Sequence, residues 1–197
     1  MIRTIFASLL LTVSLAASSK TKLLEHIPLE WRPTSELRLG TTQMTASPVA
    51  VVAFTDDRDN KESIGENREA DDLKPVTTSD DVGAFVSTHI RQLFDQAGIK
   101  TVDSNGAVTI KGEVKKFFVR EGNTYKSEVA IHLTVIDQGG KTLWNGLASG
   151  EATRFGRSYK AENYYEVLSD AVVNTVSSML QAGEFQKAIS GHASGES

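Results

Sequence analysis

Hydrophobic positions along the chain change period several times, and each change marks an element. Val49 to Phe54 is a continuous apolar run between Pro48 and Thr55-Asp56. Its length and β-branched content predict a buried strand. Val82, Phe85, Val86, His89, Ile90, Leu93, Phe94 and Ala97 then recur at steps of three and four, the stripe of an amphipathic helix. Ser79 reads as its N-cap, Asp80 and Asp81 place negative charge at its positive end, and Gly98 suits a left-handed C-cap. Beyond it the period falls to two. Val108, Ile110, Gly112 and Val114 alternate and run on through Phe117-Phe118-Val119; Val129, Ile131, Leu133 and Val135 alternate again; a third strand covers 142–153. Glu121-Gly122-Asn123-Thr124 and Asp137-Gln138-Gly139-Gly140 supply turns between them, so the three form an antiparallel meander. Ala148, Gly150 and Ala152 leave one face of the third strand small enough for a helix to approach closely. That helix opens near Asn163, carries Tyr164, Leu168, Ala171, Val172, Thr175, Val176 and Met179 on one side, and stops at Gly183, with a short turn at 185–189.

Two stretches lack a long period. Residues 18–46 form a polar leader in which Ile27, Leu29 and Trp31 alternate, while Pro28 and Pro33 point to an extended arm or edge rather than a central strand. Residues 55–78 are charged and loop-like. A loop of about two dozen residues inside a compact domain is functional or disordered, which makes it the leading place for function. The expected fold is α+β: strand, long loop, helix, three-stranded meander, helix, with a mostly antiparallel sheet and two helices packed on one face. Residues 47–189 make one domain and 190–197 a flexible tail.

The N-terminus adds a location. Met1-Ile2-Arg3 is a short positive start, Thr4 to Ala16 is apolar, and Ser14-Leu15-Ala16 offers small residues for cleavage, the layout of a secretory signal over 1–17. The apolar run is shorter than the about 20 residues a membrane span needs. With no cysteine in the chain, neither disulfides nor a lipid-bearing thiol are expected, which predicts an exported, soluble periplasmic protein. A net charge of −4 without clustered Lys and Arg gives no footprint for nucleic acid.

Candidate chemistry is sparse, and no catalytic, cofactor or metal residue is assigned. His26, His89, His132 and His192 form no paired-ligand spacing, and His89, on the helix stripe, reads as a half-buried imidazole. Asp56, Asp57, Asp59 and Glu62 are the one oxygen-rich cluster suited to Ca²⁺ or Mg²⁺, but their spacing misses the EF-hand loop, and Arg58 and Lys61 supply countercharge. A metal-dependent hydrolase is the least favoured reading. Arg154, Arg157 and Tyr159, near Phe155, Tyr164 and Tyr165, could serve an anionic ligand or glycan, or could simply join strand to helix. The contact candidates are therefore Asp56, Asp57, Arg58, Arg154, Arg157 and Tyr159.

The order of these pieces resembles the YajG-like family of bacterial envelope lipoproteins. The resemblance is carried by the strand 49–54 running into Asp56-Asp57-Arg58, the helix ending at Gly98, Val108-Thr109-Ile110, Glu121-Gly122-Asn123 before Tyr125, Gly139-Gly140, Gly150-Glu151, and Ser169-Asp170-Ala171-Val172 in the closing helix. It covers about residues 47–182 and departs at the missing lipidation cysteine. It implies a small periplasmic α/β domain of envelope assembly or transport machinery, and brings no catalytic residues. The expected function is a non-catalytic accessory or scaffold protein. It would bind an envelope protein or polymer through the 55–78 loop or an exposed sheet edge.

Overall fold

A computed structural model describes residues 23–39, 47–69 and 73–191. The expected signal segment 1–17 and nearly all of the expected tail, including His192, lie outside these residues. In chain order the elements are β1 (Val49–Val51), β2 (Thr55–Asp56), β3 (Ser63–Asn67), β4 (Lys74–Thr77), α1 (Val82–Gln96), β5 (Thr101–Val102), β6 (Val108–Glu121), β7 (Thr124–Asp137), β8 (Thr142–Phe155), α2 (Ala161–Gln181) and α3 (Gly183–Ile189).

β6 is the spine of an open, mixed eight-stranded sheet. Along one flank it pairs antiparallel with β7, which pairs antiparallel with β8, as the meander pattern requires. Along the other flank β1, β2 and β3 follow one another, each parallel to β6, with Val49 opposite Val108, Thr55 opposite Glu113 and Gly65 opposite Val119. β5 extends the sheet beyond β1, and β4 beyond β3. The stretch 55–78, read as a loop, thus carries three strands of the sheet. Its strands are short and polar, and β2 and β3 pair with β6 residues more than fifty positions away, a partnership that local period does not carry.

A bulge lies between Val114 and Lys116 in β6. Before it the inward residues are Val108, Ile110 and Val114; after it they are Phe117, Val119 and Glu121, all buried. One extra residue restores the apolar set to the core face, which is what a bulge does to a period-two pattern.

The helices cover one face. α2 packs over β7 and β8, and the small-residue stripe is the reason it lies so close. A Cβ added to Gly150 would sit 2.3 Å from the Thr175 backbone N and 2.5 Å from the Ala171 O. The buried Ser127 hydroxyl of β7 donates to the Val167 carbonyl (2.7 Å), closing the layer. α1 begins two residues later than Ser79 suggests. Asp81 is the N-cap, its Oδ1 accepting from the Ala84 N–H at 2.9 Å, while Asp80 and Ser79 turn to the arm. Gly98 has the expected left-handed backbone (φ 81°). The short turn at 185–189 is the helix α3, which buries Phe185, Ala188 and Ile189.

The N-terminal arm, residues 23–39, runs along β4 and then over the helices. Leu24 bridges to Val76, and the Ile27 N–H donates to the Thr77 carbonyl at 2.9 Å. From there its backbone is held by side chains. Asp80 accepts from the Leu29 N–H (2.7 Å) and Ser169 Oγ from the Arg32 N–H (2.9 Å). Asp170 accepts from the Thr34 and Ser35 N–H groups (2.6 and 2.7 Å) and from the Thr34 hydroxyl (2.6 Å), and Ser177 Oγ from the Arg38 N–H (3.1 Å). Ile27, Leu29 and Trp31, the alternating set, pack against the core. Trp31 stacks on His89, ring centroids 4.2 Å apart, and His89 Nδ1–H donates to the Phe85 carbonyl (2.7 Å). Burial lowers the pKa of this imidazole from its ordinary value. Because Asp170 collects three arm donors, Asp170→Ala is expected to loosen the arm at a cost of about 1.5–3 kcal/mol. Limited tryptic cleavage after Arg38 should accelerate while the sheet stays intact.

Candidate partner-binding surfaces

The sequence candidates fall in separate places and do not converge on one cleft. Arg58 is 8% exposed, and every N–H of its guanidinium is used. Nε donates to Asp56 Oδ1 (2.8 Å) and Nη2 to Asp56 Oδ2 (2.8 Å) and the Lys61 carbonyl; Nη1 donates to the carbonyls of Ser63 (2.6 Å) and Phe117 (3.3 Å). Five donors meet five acceptors, so Asp56 and Arg58 form an internal clamp between β2, β3 and β6. Asp57 faces solvent, where Lys115, the extra residue at the β6 bulge, reaches it and also Glu113. The ammonium holds the Asp57 carboxyl below its ordinary range, and the two carboxylates raise Lys115. Among the described residues no group of three or more His, Asp or Glu gathers as a metal site.

On the opposite flank Arg154 pairs with Glu166 of α2, and Arg157 lies 3.7 Å from Glu69. Tyr164 and Tyr165 are buried, and the Tyr159 hydroxyl joins the arm to β4, accepting from the Leu24 N–H (3.1 Å) and donating to the Pro75 carbonyl (2.9 Å). Only Phe155 of that aromatic group stands in solvent, 88% exposed.

Glu121 escaped the sequence reading, because a glutamate beside a turn looks like surface. It is fully buried. Its Oε1 accepts from the backbone N–H groups of Ser158 (3.0 Å) and Tyr159 (2.8 Å), and its Oε2 from the Tyr164 hydroxyl (2.7 Å). Burial works against its charge, but the hydrogen bonds from Tyr164 and the Tyr159 N–H, with the polar Asn67 and Tyr125 side chains nearby, outweigh burial and hold the carboxyl below its ordinary range. Burial beside that charge pushes the Tyr164 phenol far up.

The surface least committed to internal contacts is the far side of β8. Among the described residues β8 pairs with β7 alone, so from 144 to 155 its other flank carries no neighbouring strand. Asn174 of α2 reaches across to it, its Nδ2 donating to the Glu151 carbonyl at 2.8 Å. Phe155 and Leu147 (64%) are the two most exposed large apolar side chains among the described residues, and both project from the helix-free face of this strand.

This architecture has counterparts of known structure. A Xanthomonas campestris protein of the family DUF330 superposes with a TM-score of 0.56 at 9% identity, over 81% of this chain and 94% of its own. A crystal structure of an uncharacterized protein gives 0.50 at 10% identity, over 77% and 98%. A lipoprotein from Neisseria meningitidis matches at 0.36 and 14% identity, over 66% and 97%. The chain matches no family model and no curated relative. At these identities the likeness is one of fold. No described helix is long and apolar enough to cross a membrane.

Proposed function

We propose that this chain is a non-catalytic accessory protein of the bacterial cell envelope, acting in the periplasm, which binds an extended protein segment along the free edge of β8. The observation that carries this reading is the bare flank of β8 together with Leu147 and Phe155 exposed on the same strand. Natural sheets guard long edges with proline, lysine or bulges. From 144 to 155 this strand has no proline, no lysine and no bulge. An added strand would gain main-chain hydrogen bonds from the flank, and side-chain contacts from Leu147 and Phe155 would give selectivity. The export pattern at 1–17 and the resemblance to YajG-like envelope proteins support the location. The loop and arginine–tyrosine candidates rank lower, because Arg58, Arg154 and Tyr159 are engaged within the fold.

The test uses proline at an edge position. Ser149 shares the phase of Glu151, so its N–H lies on the free flank, and Ser149→Pro removes that donor while leaving the β7 ladder intact. A photoreactive residue at Leu147 in intact cells is expected to crosslink an envelope protein in the parent chain. Ser149→Pro should lose the adduct without lowering the melting temperature. Crosslinking that survives the proline unchanged would refute strand addition.

A further inference from the structure

Buried carboxylates in proteins are normally matched by a cation. The donors to Glu121 are neutral, and they come from two places: Tyr164 on α2 and the backbone of Ser158 and Tyr159 in the connection after β8. The nearby charges are directed elsewhere. Arg68 and Arg120 reach Glu66, Arg157 reaches Glu69, and the Lys74 ammonium lies 5.5 Å from the centre of the Tyr159 ring. Around the same cluster, Asn163 Nδ2 donates to Ser158 Oγ (2.7 Å) and to the Tyr125 hydroxyl (3.1 Å). Tyr159 itself has φ 41°, a left-handed backbone that costs a side-chain-bearing residue about 1–3 kcal/mol unless its surroundings hold it there. What holds it is the Glu121 carboxylate on its N–H at one end and the Pro75 carbonyl on its hydroxyl at the other.

We infer that Glu121 is a latch that couples the connection between β8 and α2 to the start of the N-terminal arm. Its ionised carboxylate fixes Ser158 and Tyr159, and the tyrosine hydroxyl so placed accepts the Leu24 N–H. When the carboxylate loses its charge, one oxygen becomes a donor or a weaker acceptor, and the Ser158 and Tyr159 N–H groups lose their shared anion. The left-handed turn then relaxes, which withdraws the hydroxyl from Leu24 and Pro75. The arm beyond Leu24 keeps its bonds to Thr77 and to α2, so the release is local. The sign follows from the direction of the shift: the latch is closed above the ordinary carboxyl range and opens as pH falls through the lower value of the folded protein.

Amide hydrogen exchange of the full chain, corrected for intrinsic rates, tests the coupling. At neutral pH, Glu121→Gln is expected to speed exchange at Ser158, Tyr159 and Leu24 together, each by about tenfold or more. Tyr159→Phe should speed Leu24 while leaving Ser158 within a few-fold of the parent. If Glu121→Gln accelerates Ser158 and Tyr159 but leaves Leu24 at the parent rate, the coupling is wrong. Should that variant not fold, an acid titration of the parent chain downward from about pH 7 supplies the same readout. The three amides should open as one unit while the β7 amide of Ile131 stays protected, and loss of all four at once would overturn the proposal.

Discussion

Arg58→Ala is expected to destabilise the protein by about 3–5 kcal/mol, the penalty for breaking a buried ion pair from one side. The variant strands the Asp56 carboxylate and leaves the carbonyls of Lys61, Ser63 and Phe117 without their donor. Arg58→Lys should recover little of this. An ammonium has three donors on one atom and cannot span a carboxylate on one side and three carbonyls on the others. Urea unfolding would show the loss as a lower midpoint, with the lysine variant closer to alanine than to the parent. A lysine variant as stable as the parent would mean that charge alone, rather than the five-donor fork, secures this corner. The result bears on function too, because the Asp56-Asp57-Arg58 element looks like a surface recognition motif in the sequence. In the fold two of its three residues are consumed in joining β2 and β3 to β6.

The second large effect concerns Gly150. A valine there places carbon within 2.3 Å of the Thr175 nitrogen and 2.5 Å of the Ala171 oxygen, both backbone atoms of α2. No rotamer relieves a clash with the main chain, so the helix must lift from β8 or the strand must bend. Overpacking costs about 1–3 kcal/mol even where side chains can yield, and more where they cannot. Gly150→Val should therefore exceed 3 kcal/mol and yield mostly insoluble protein. Gly122→Ala makes the matched control. Nothing lies within 4 Å of its added Cβ, and its stability should stay within about 0.5 kcal/mol of the parent. Soluble yield and the midpoint of thermal unfolding separate the two. Equal behaviour would remove close helix–strand contact as the reason for the small-residue stripe.

These two sites also mark how far the sequence could be read. Gly150 was legible because a stripe of small residues in an alternating strand has one physical use, and the long strands and helices were legible for the same reason: their periods report a buried face. β2, β3 and β4 were not. Ser63-Ile64-Gly65-Glu66-Asn67 has one large apolar side chain, and Lys74-Pro75-Val76-Thr77 contains a proline. What makes them strands is pairing with the far end of β6 and with each other, with the proline on an outer strand where a missing N–H is tolerated. The N-cap moved from Ser79 to Asp81 because the arm claims Ser79 and Asp80: His26 Nδ1 lies 3.0 Å from Ser79 Oγ, and Asp80 takes the Leu29 N–H. Glu121 and Arg58 are hidden from the sequence for the same reason. A charged side chain is assigned to solvent by default, and only three-dimensional structure reveals the five acceptors around one and the ring of neutral donors around the other. The free flank of β8 was legible only as a possibility, since a meander must end in an edge but its sequence does not say which edge stays bare.

The way the arm is held has a consequence for how such chains diverge. α2 grips it through the peptide N–H groups of Arg32, Thr34, Ser35 and Arg38, and every residue but proline offers that group whatever its side chain. The arm's own spelling can therefore drift between related chains with little loss of docking. Ser169, Asp170 and Ser177, which do the gripping, cannot drift without replacing an acceptor. A distant relative would then be betrayed less by its N-terminal residues than by a hydroxyl–carboxylate pair in the closing helix followed two turns later by a second hydroxyl.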